Sequence, residues 1–570
     1  MMTSSQPIHR GPLAVGGDWR RKFIGGLAFA LALTAAGTLC LGGPDITHTE
    51  IQDTAHYGPV GTIHGYAWGS HTCNIGNGSL SWENGGSPAL AMNAYRLHNG
   101  RLLQIGLGNS KHACCVANGG GCGMTCSSTG FGLRAGCKDI YSAGFNGGQG
   151  RLGPRSGINA YDSTFAAIPA GTGDAVWRRV QIQAANMSAT TYPGALYFAE
   201  GNYVCLEEMP VDALNNATYR RATVANTGTA PTYLWTVAGA TRATRPAIYA
   251  WADHGLGVDL PDSAVRISAV DVPNEGRYFV AGKVRALPNN QWLYDYAVFN
   301  LNSHRSGASF SIDLDSTASA TGIGFNAPVY HSGEVYANTP WTSTRSAAGI
   351  EWKSPQTYSQ NQNTNALRWG TMYNFWFTSS AAPSPIAGSA RLGLFRPGTP
   401  TSIQLPDVPV PCLAPVINAQ PQAQGSCPCQ RMSLAIGASG GAAASYQWQR
   451  ESGANTGVYV ALSDGPSGNA CAGEVSGTRT SDVTFYAAAD SDAGNYRCIV
   501  SSPCGTVTSE AVALAVCVGD FNCDGATEGG DIEVFFEAFT QSLMAADTNE
   551  DGGITGQDVE VFFTRWADGC

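Results

Sequence analysis

The sequence predicts a mainly β protein: a large β-sandwich-type amino-terminal region, a smaller second sandwich, and a short α-helical unit at the carboxyl end. Three observations carry this. Glycine supplies 71 of 570 residues and only 13% are charged, while short runs of Val, Thr, Tyr, Trp and Phe lie between Gly, Pro, Asn and Ser, the pattern of strands and turns. A proline-dense stretch from Arg396 to Pro415 divides the chain. After Cys517 the pattern changes to two copies of a loop followed by an apolar helical triplet.

The amino end, residues 1–43, reads as an export signal. Arg20-Arg21-Lys22-Phe23-Ile24 precedes an apolar run from Ile24 to about Leu41, the charge-then-apolar order of a secretory leader. The paired arginines resemble a twin-arginine signal, with Trp19 where that family prefers Ser or Thr. About 18 apolar residues could just span a bilayer, so an uncleaved anchor is the alternative to cleavage near Ala36 or Gly42. An extracellular or cell-surface location follows from either.

Cysteine usage agrees with export. Of seventeen cysteines, Cys40 lies in the signal; the others fall as seven before residue 400, six between 412 and 504, and three at 517, 523 and 570. Exported chains with this many cysteines pair them. The dense group Cys114, Cys115, Cys122, Cys126 and Cys137 lacks the two-residue gaps of zinc knuckles and reads as disulfide-forming.

Residues 45–396 form a β-rich region of unknown function. From Leu367 to Thr378, Leu367, Trp369, Tyr373, Phe375 and Phe377 fall on one face and Arg368, Met372, Asn374 and Trp376 on the other. Trp292, Tyr294, Tyr296 and Val298 also share a face. Such strips predict sandwich core; a solvent-facing stacking platform for sugar rings at Trp292-Tyr294-Tyr296 is the alternative. The phrases Asn146 to Arg155 and Leu367 to Phe375 resemble those of uncharacterised secreted bacterial proteins.

Candidate catalytic groups in this region are sparse. No His-Glu-x-x-His and no phosphate-binding loop occurs. Tyr330-His331-Ser332-Gly333-Glu334 is the best cluster, followed by Asp253-His254 and Lys111-His112, and each suits a structural histidine as well as a base. Glycoside hydrolysis needs two carboxylates at a set separation; Glu200, Glu208, Glu275 and Glu334 are candidates that sequence cannot pair.

Residues 397–415 are expected to be a stiff proline-rich linker. Beyond it, 416–516 resembles an immunoglobulin-like sandwich: Asp492-Ala493-Gly494-Asn495-Tyr496-Arg497-Cys498 matches that family's tyrosine-corner motif, and Trp448 takes the buried strand position. Ile436 stands where the first core cysteine would be, so Cys498 must pair elsewhere or stay reduced. Cys427 or Cys429 with Cys504 is one possible tie.

The unit 517–570 carries the duplication. Asp520, Asn522, Asp524 and Asp531 in the first copy, and Asp547, Asn549, Asp551 and Asp558 in the second, occupy loop positions 1, 3, 5 and 12 of a calcium loop, with Gly525 and Gly552 at position 6 and the carbonyls of Ala526 and Gly553 at position 7. Val534-Phe535-Phe536 and Val561-Phe562-Phe563 follow. A merely acidic, solvated tail would not alternate with paired aromatics. The segment resembles a dockerin of the type ending in Gly-Cys, here Gly569-Cys570, which implies two calcium ions and a cohesin-like partner. Thr527 stands where that family prefers the aliphatic residue supplied in the second copy by Ile554. Cys517 and Cys570 bracket the unit and are expected to pair, with Cys523 pointing outward from the first loop.

Residues 520–570 hold twelve acidic residues against one Arg, so the rest of the chain is near neutral and the formal charge of -10 belongs to this unit. No basic stripe suggests nucleic acid. Two function classes remain: a secreted, surface-associated, non-catalytic protein anchored through a calcium-dependent dockerin, with polysaccharide as a possible ligand, or an extracellular polysaccharide-degrading glycoside hydrolase with its catalytic region at 45–396.

Overall fold

The computed structural model describes residues 43–570 apart from 83–85, 116–117, 127–131, 209–211, 227–231, 332, 440–443, 469–470 and 570. Residues 1–42 of the expected export signal and Cys570 therefore lie outside the described residues. Among the described residues no helix is long and apolar enough to cross a membrane. Strand makes up 45% of the structure and helix 11%, so the chain is mainly β.

The first large element is a ten-stranded antiparallel sheet. Its main path runs through Tyr233–Arg242, Ala217–Asn226, Leu196–Val204, Ala89–His98, Arg101–Leu107, Val180–Gln183, Ile63–Trp68 and Thr54–Val60. The sheet curls until its two ends meet: Tyr66 donates its hydroxyl to the Tyr233 carbonyl at 2.7 Å, and Thr54 donates to the Trp235 carbonyl at 2.5 Å. Tyr66, Trp68, Met92 and Trp235 fill the hollow. Strand Ala89–His98 is buried along nearly its whole length, because Leu90 and Met92 face this hollow while Tyr95 and Leu97 face a second core. A strand covered on both faces loses hydrophobic alternation.

That second core joins the curled sheet to a sandwich of two five-stranded sheets. One sheet runs Arg266–Val272, Gly276–Leu287, Gln291–Asn300, Thr371–Ser379 and Thr321–Asn326; the other runs Thr342–Ser346, Gly349–Lys353, Gly307–Asp313, Gly388–Leu394 and Ser402–Val408. Between them Tyr296, Phe310, Trp352, Phe375 and Phe377 interlock, with the Phe310 and Phe375 rings stacked at 4.3 Å. Aromatic side chains bury about 150 to 250 Å² each, so this layer dominates the hydrophobic stabilisation of the region. The opposite face is also buried: Met372 and Asn374 pack toward the curled sheet, and Asn374 donates to the Leu102 carbonyl at 2.8 Å.

Two expectations change here. Tyr294 and Tyr296 are 0% and 1% exposed, so with half-buried Trp292 they form core and not a sugar-stacking platform. The stretch 397–415 is not a free linker throughout: Ser402–Val408 is the edge strand of the second five-stranded sheet, with Leu405 and Val408 fully buried. Pro406 is tolerated because an edge strand need not donate on its outer side.

The following region is an immunoglobulin-like β-sandwich. A sheet ordered Gln424–Ser426, Val512–Val516, Gly494–Ser502, Ser445–Glu451 and Tyr459–Ala461 faces one ordered Gln430–Ala435, Asp482–Ala488, Glu474–Ser476 and Gly465–Pro466. Trp448 is fully buried beside Cys498 and shares the core with Ile436. The Tyr496 hydroxyl donates to the Asp492 carbonyl at 2.5 Å, closing the tyrosine corner. Cys498 is a buried free thiol, since Ile436 offers it no sulfur.

Disulfides join Cys73 to Cys122, Cys126 to Cys137, Cys412 to Cys504, Cys427 to Cys523, and Cys429 to Cys471. The expected tie of Cys427 or Cys429 to Cys504 is thus replaced by three separate bridges, because Cys412 reaches Cys504 from the preceding strand. Cys517 is disulfide-bonded; its expected partner Cys570 lies outside the described residues.

The chain ends in two loop-helix units, with helices Gly529–Thr540 and Gly556–Asp568. Phe535 and Phe562 stack face to face at 4.0 Å between them, giving the pair a small core with Ala538 and Ala546.

Candidate functional site

The candidate catalytic groups of the large region are taken up by its own architecture. Glu200 is fully buried and accepts from Asn93 Nδ2 at 2.7 Å, the Tyr95 hydroxyl at 2.9 Å and the Ala247 amide at 2.5 Å. Burial pushes its carboxyl up, against those three donors. Glu208 accepts from the Ile46 amide and Asn216, and burial likewise raises it well above the usual carboxylate range. Glu334 is held by the amides of Arg155 and Ser156. It is therefore directed to backbone donors and not to His331, whose imidazole is pushed down to about 4 by burial; Ser332 lies outside the described residues. Glu275 sits half-buried in a turn, raised by burial and drawn down by Arg305. Glu200 and Glu334 both feel the field of the buried Arg155, but each has its own donors.

The histidine candidates are equally structural. His254 is 3% exposed and accepts from the Asp259 amide at 2.9 Å, while Asp253 accepts from the Tyr219 hydroxyl at 2.5 Å and pairs with Arg245. Lys111 and His112 are both buried. The Lys111 ammonium lies 3.5 Å from the Tyr141 ring centre, and burial pushes it down to about 7 against the pull of Asp139. Gly437-Ala438-Ser439-Gly440-Gly441 has Gly-x-Ser-x-Gly spacing, but Ser439 ends a strand of the immunoglobulin-like region. A nucleophile elbow needs a strand-to-helix turn.

The C-terminal loops are organised differently, and from position 1 to position 7 they repeat one another's hydrogen bonds. In the first, Asp520 accepts from the amides of Asp524 at 3.1 Å and Gly525 at 3.0 Å; in the second, Asp547 accepts from Asp551 at 3.2 Å and Gly552 at 2.9 Å. Asn522 and Asn549 each donate to the Asp two residues on at 3.0 Å, and Asp524 and Asp551 accept from the amides of Ala526 and Gly553. Gly525 and Gly552 turn at φ +86° and +85°, a region that glycine enters without steric cost.

Asp531 and Asp558 are fully buried at position 12. Asp531 accepts from the amides of Phe521, Asn522 and Glu528, and Asp558 from those of Asn549 and Thr555. These bonds pull each helix start back onto its own loop. The position-12 oxygens turn to amides, and among the described residues no three His, Cys, Asp or Glu side chains converge as a metal cage. The donor set is nevertheless all oxygen, carboxylate plus amide plus main-chain carbonyl, which suits a hard cation such as calcium. Among the described residues no Lys, Arg or His pairs with the six ligand-position aspartates.

Two residues that the motif does not name complete the site. Cys523 and Glu550 occupy position 4 of their loops in left-handed conformation, φ +66° and +57°. Both reach the immunoglobulin-like region: Cys523 through its disulfide to Cys427, Glu550 by accepting from the Ser491 amide at 2.8 Å. Arg565 adds an ion pair to Asp490 at 2.6 Å. On the helices, Val534, Phe536 and Phe563 remain partly exposed, as do Leu543 and Met544 after the first helix.

No family model and no curated protein matches the chain. Solved structures with similarity include a chimeric titin Z1Z2, 18% identical over 18% of this chain and 95% of that one with a TM-score of 0.14. Tandem Ig repeats of Dlar are 12% identical over 44% and 98%, with a TM-score of 0.15, and DIP-gamma IG1+IG2 is 13% identical over 40% and 89%, with a TM-score of 0.17. At such TM-scores they add no argument, and the immunoglobulin-like assignment stands on Trp448, the tyrosine corner and the two facing sheets.

Proposed function

We propose that this chain is a secreted, surface-associated, non-catalytic protein whose C-terminal loop-helix pair is a dockerin that takes two calcium ions and docks onto a cohesin-like partner. The observation that carries the reading is the duplicated loop. Two sets of three aspartates and one asparagine are held by matching backbone and side-chain bonds, and among the described residues no cationic side chain pairs with either set. Such crowded carboxylates repel one another unless a cation offsets them, and two short helices with one stacked aromatic pair have little core of their own. Asp520, Asn522, Asp524, Asp531 and the Ala526 carbonyl would hold the first ion, and Asp547, Asn549, Asp551, Asp558 and the Gly553 carbonyl the second. The exposed apolar groups Val534, Phe536 and Phe563 suit a protein partner. Disulfides in every region accord with an oxidising, extracellular location.

Calorimetric titration of the full chain with calcium chloride tests this. Two bound ions per chain, with a gain of helical circular dichroism, are expected; no binding at millimolar calcium would overturn the docking function.

A further inference from the structure

Both calcium loops meet the immunoglobulin-like region at the same loop position. Cys523 and Glu550 are each fourth in their loop, each left-handed, and each attached to that region, one covalently and one by a hydrogen bond. Cys427, the anchor of the first, follows strand Gln424–Ser426, which pairs with Val512–Val516; the Cys517 amide also donates to the Ser426 carbonyl at 2.7 Å. The first loop is thus bound beside a sheet edge through Cys523, and the chain just before the loop is hydrogen-bonded to the same edge through Cys517. In the second, Asp547 is 3% exposed, and with Thr548 and Glu550 it lines a small cavity shared with Pro428, Cys471, Ala489 and Asp490.

Position 4 lies between the side-chain ligands at positions 3 and 5, so whatever fixes its backbone also fixes the spacing of Asn522 and Asp524. A non-glycine residue at φ +66° occupies a sparsely populated conformation, and a covalent bond to a rigid sheet holds it there before the ion arrives. Holding a site in its bound conformation lowers the ordering cost of binding.

We propose that the Cys427–Cys523 disulfide sets the calcium affinity of the first loop, so that calcium binding and thiol-disulfide state are linked in this protein. The inference rests on the calcium reading above. In the redox step a dithiol reductant passes two electrons and two protons to the bridge: one thiolate attacks a bridge sulfur, the mixed disulfide is resolved by the second thiol, and Cys427 and Cys523 leave as thiols while the reductant becomes a cyclic disulfide. Linkage is reciprocal. If breaking the bridge weakens calcium by some factor, calcium makes the bridge harder to reduce by the same factor.

The test uses the full chain in two measurements. Calcium titrations compare wild type with C427S/C523S; the expected result is one site weakened by about tenfold, within the usual range of coupling between sites, and the other unchanged. Dithiothreitol titration of wild type, with calcium or with chelator and followed by alkylation and mass spectrometry, should show the Cys427–Cys523 bridge protected by calcium while Cys73–Cys122 is reduced equally in both. The second measurement needs no variant and so decides the matter if the double substitution does not fold. Two calcium sites unchanged in the variant, or equal reduction of the bridge with and without calcium, would overturn the linkage while leaving calcium binding intact. Absence of calcium binding by wild type would overturn both.

Discussion

Arg155 and Gly370, far apart in the chain, meet in a hydrogen bond of 2.9 Å from Arg155 Nη1 to the Gly370 carbonyl. The same guanidinium donates to the carbonyls of Gly108 at 2.8 Å and Met92 at 2.9 Å and to Asn93 Oδ1 at 2.9 Å, and Trp369 Nε1 returns a bond to the Arg155 carbonyl at 3.2 Å. Arg155 is 1% exposed. It therefore ties the curled sheet to the sandwich from inside.

Arg155→Ala should destabilise the chain by about 3 to 5 kcal/mol, because it strands buried acceptors and leaves Glu200 and Glu334 without their counter-charge. Arg155→Lys should recover little, since an ammonium lacks the planar fork that spans these acceptors. Urea unfolding of both variants checks this; a loss below about 0.5 kcal/mol for Arg155→Ala, the level of an ordinary surface change, would contradict the clasp.

On the proposed calcium reading, the two C-terminal loops should respond unequally to loss of the position-5 aspartate. Asp551→Gly is expected to lose more calcium-induced helicity than Asp524→Gly, because the first loop is held covalently by the Cys427–Cys523 bridge, whereas the second is held by the non-covalent Ser491 to Glu550 hydrogen bond and its helix by the Arg565 to Asp490 ion pair. Circular dichroism of the two variants, with and without calcium, decides it, and equal losses would count against the asymmetry.

Thiol labelling should separate the four cysteines that are free among the described residues. Cys115 is exposed and Cys114 half-buried, with their sulfurs 2.6 Å apart, whereas Cys205 and Cys498 are buried. Burial pushes the Cys498 thiol up to about 11 and raises Cys205 further, so little thiolate exists at neutral pH to attack a reagent. Iodoacetamide on the native chain should leave Cys205 and Cys498 unmodified until denaturant is added. Labelling of Cys498 at the rate of a free peptide thiol would refute its burial.

Burial pushes the imidazoles of His304 and His331 down to about 4. The unfolded chain, titrating near 6.5, binds more protons than the native chain between these values. Their contribution to stability is therefore complete above about pH 6.5 and is lost as pH falls through 4. Proton NMR titration should find both rings neutral at pH 5.5; midpoints near 6.5 would show that they are solvated.

What the sequence by itself determined is what local pattern can encode. Strand alternation marked Tyr373, Phe375 and Phe377 as core, the Asp-x-Gly-x-Tyr-x-Cys motif marked the corner at Tyr496, and ligand spacing marked two equivalent loops, because each depends on neighbours within about a dozen residues. Tertiary structure decided what depends on distant partners. Only packing against the curled sheet made the Met372 and Asn374 face a second interior, and only edge pairing turned Ser402–Val408 from linker into strand. Cys427 pairs with Cys523 and not Cys504 because the sandwich places strand Gln424–Ser426 beside the first C-terminal acidic loop, a proximity that no spacing of cysteines along the chain contains.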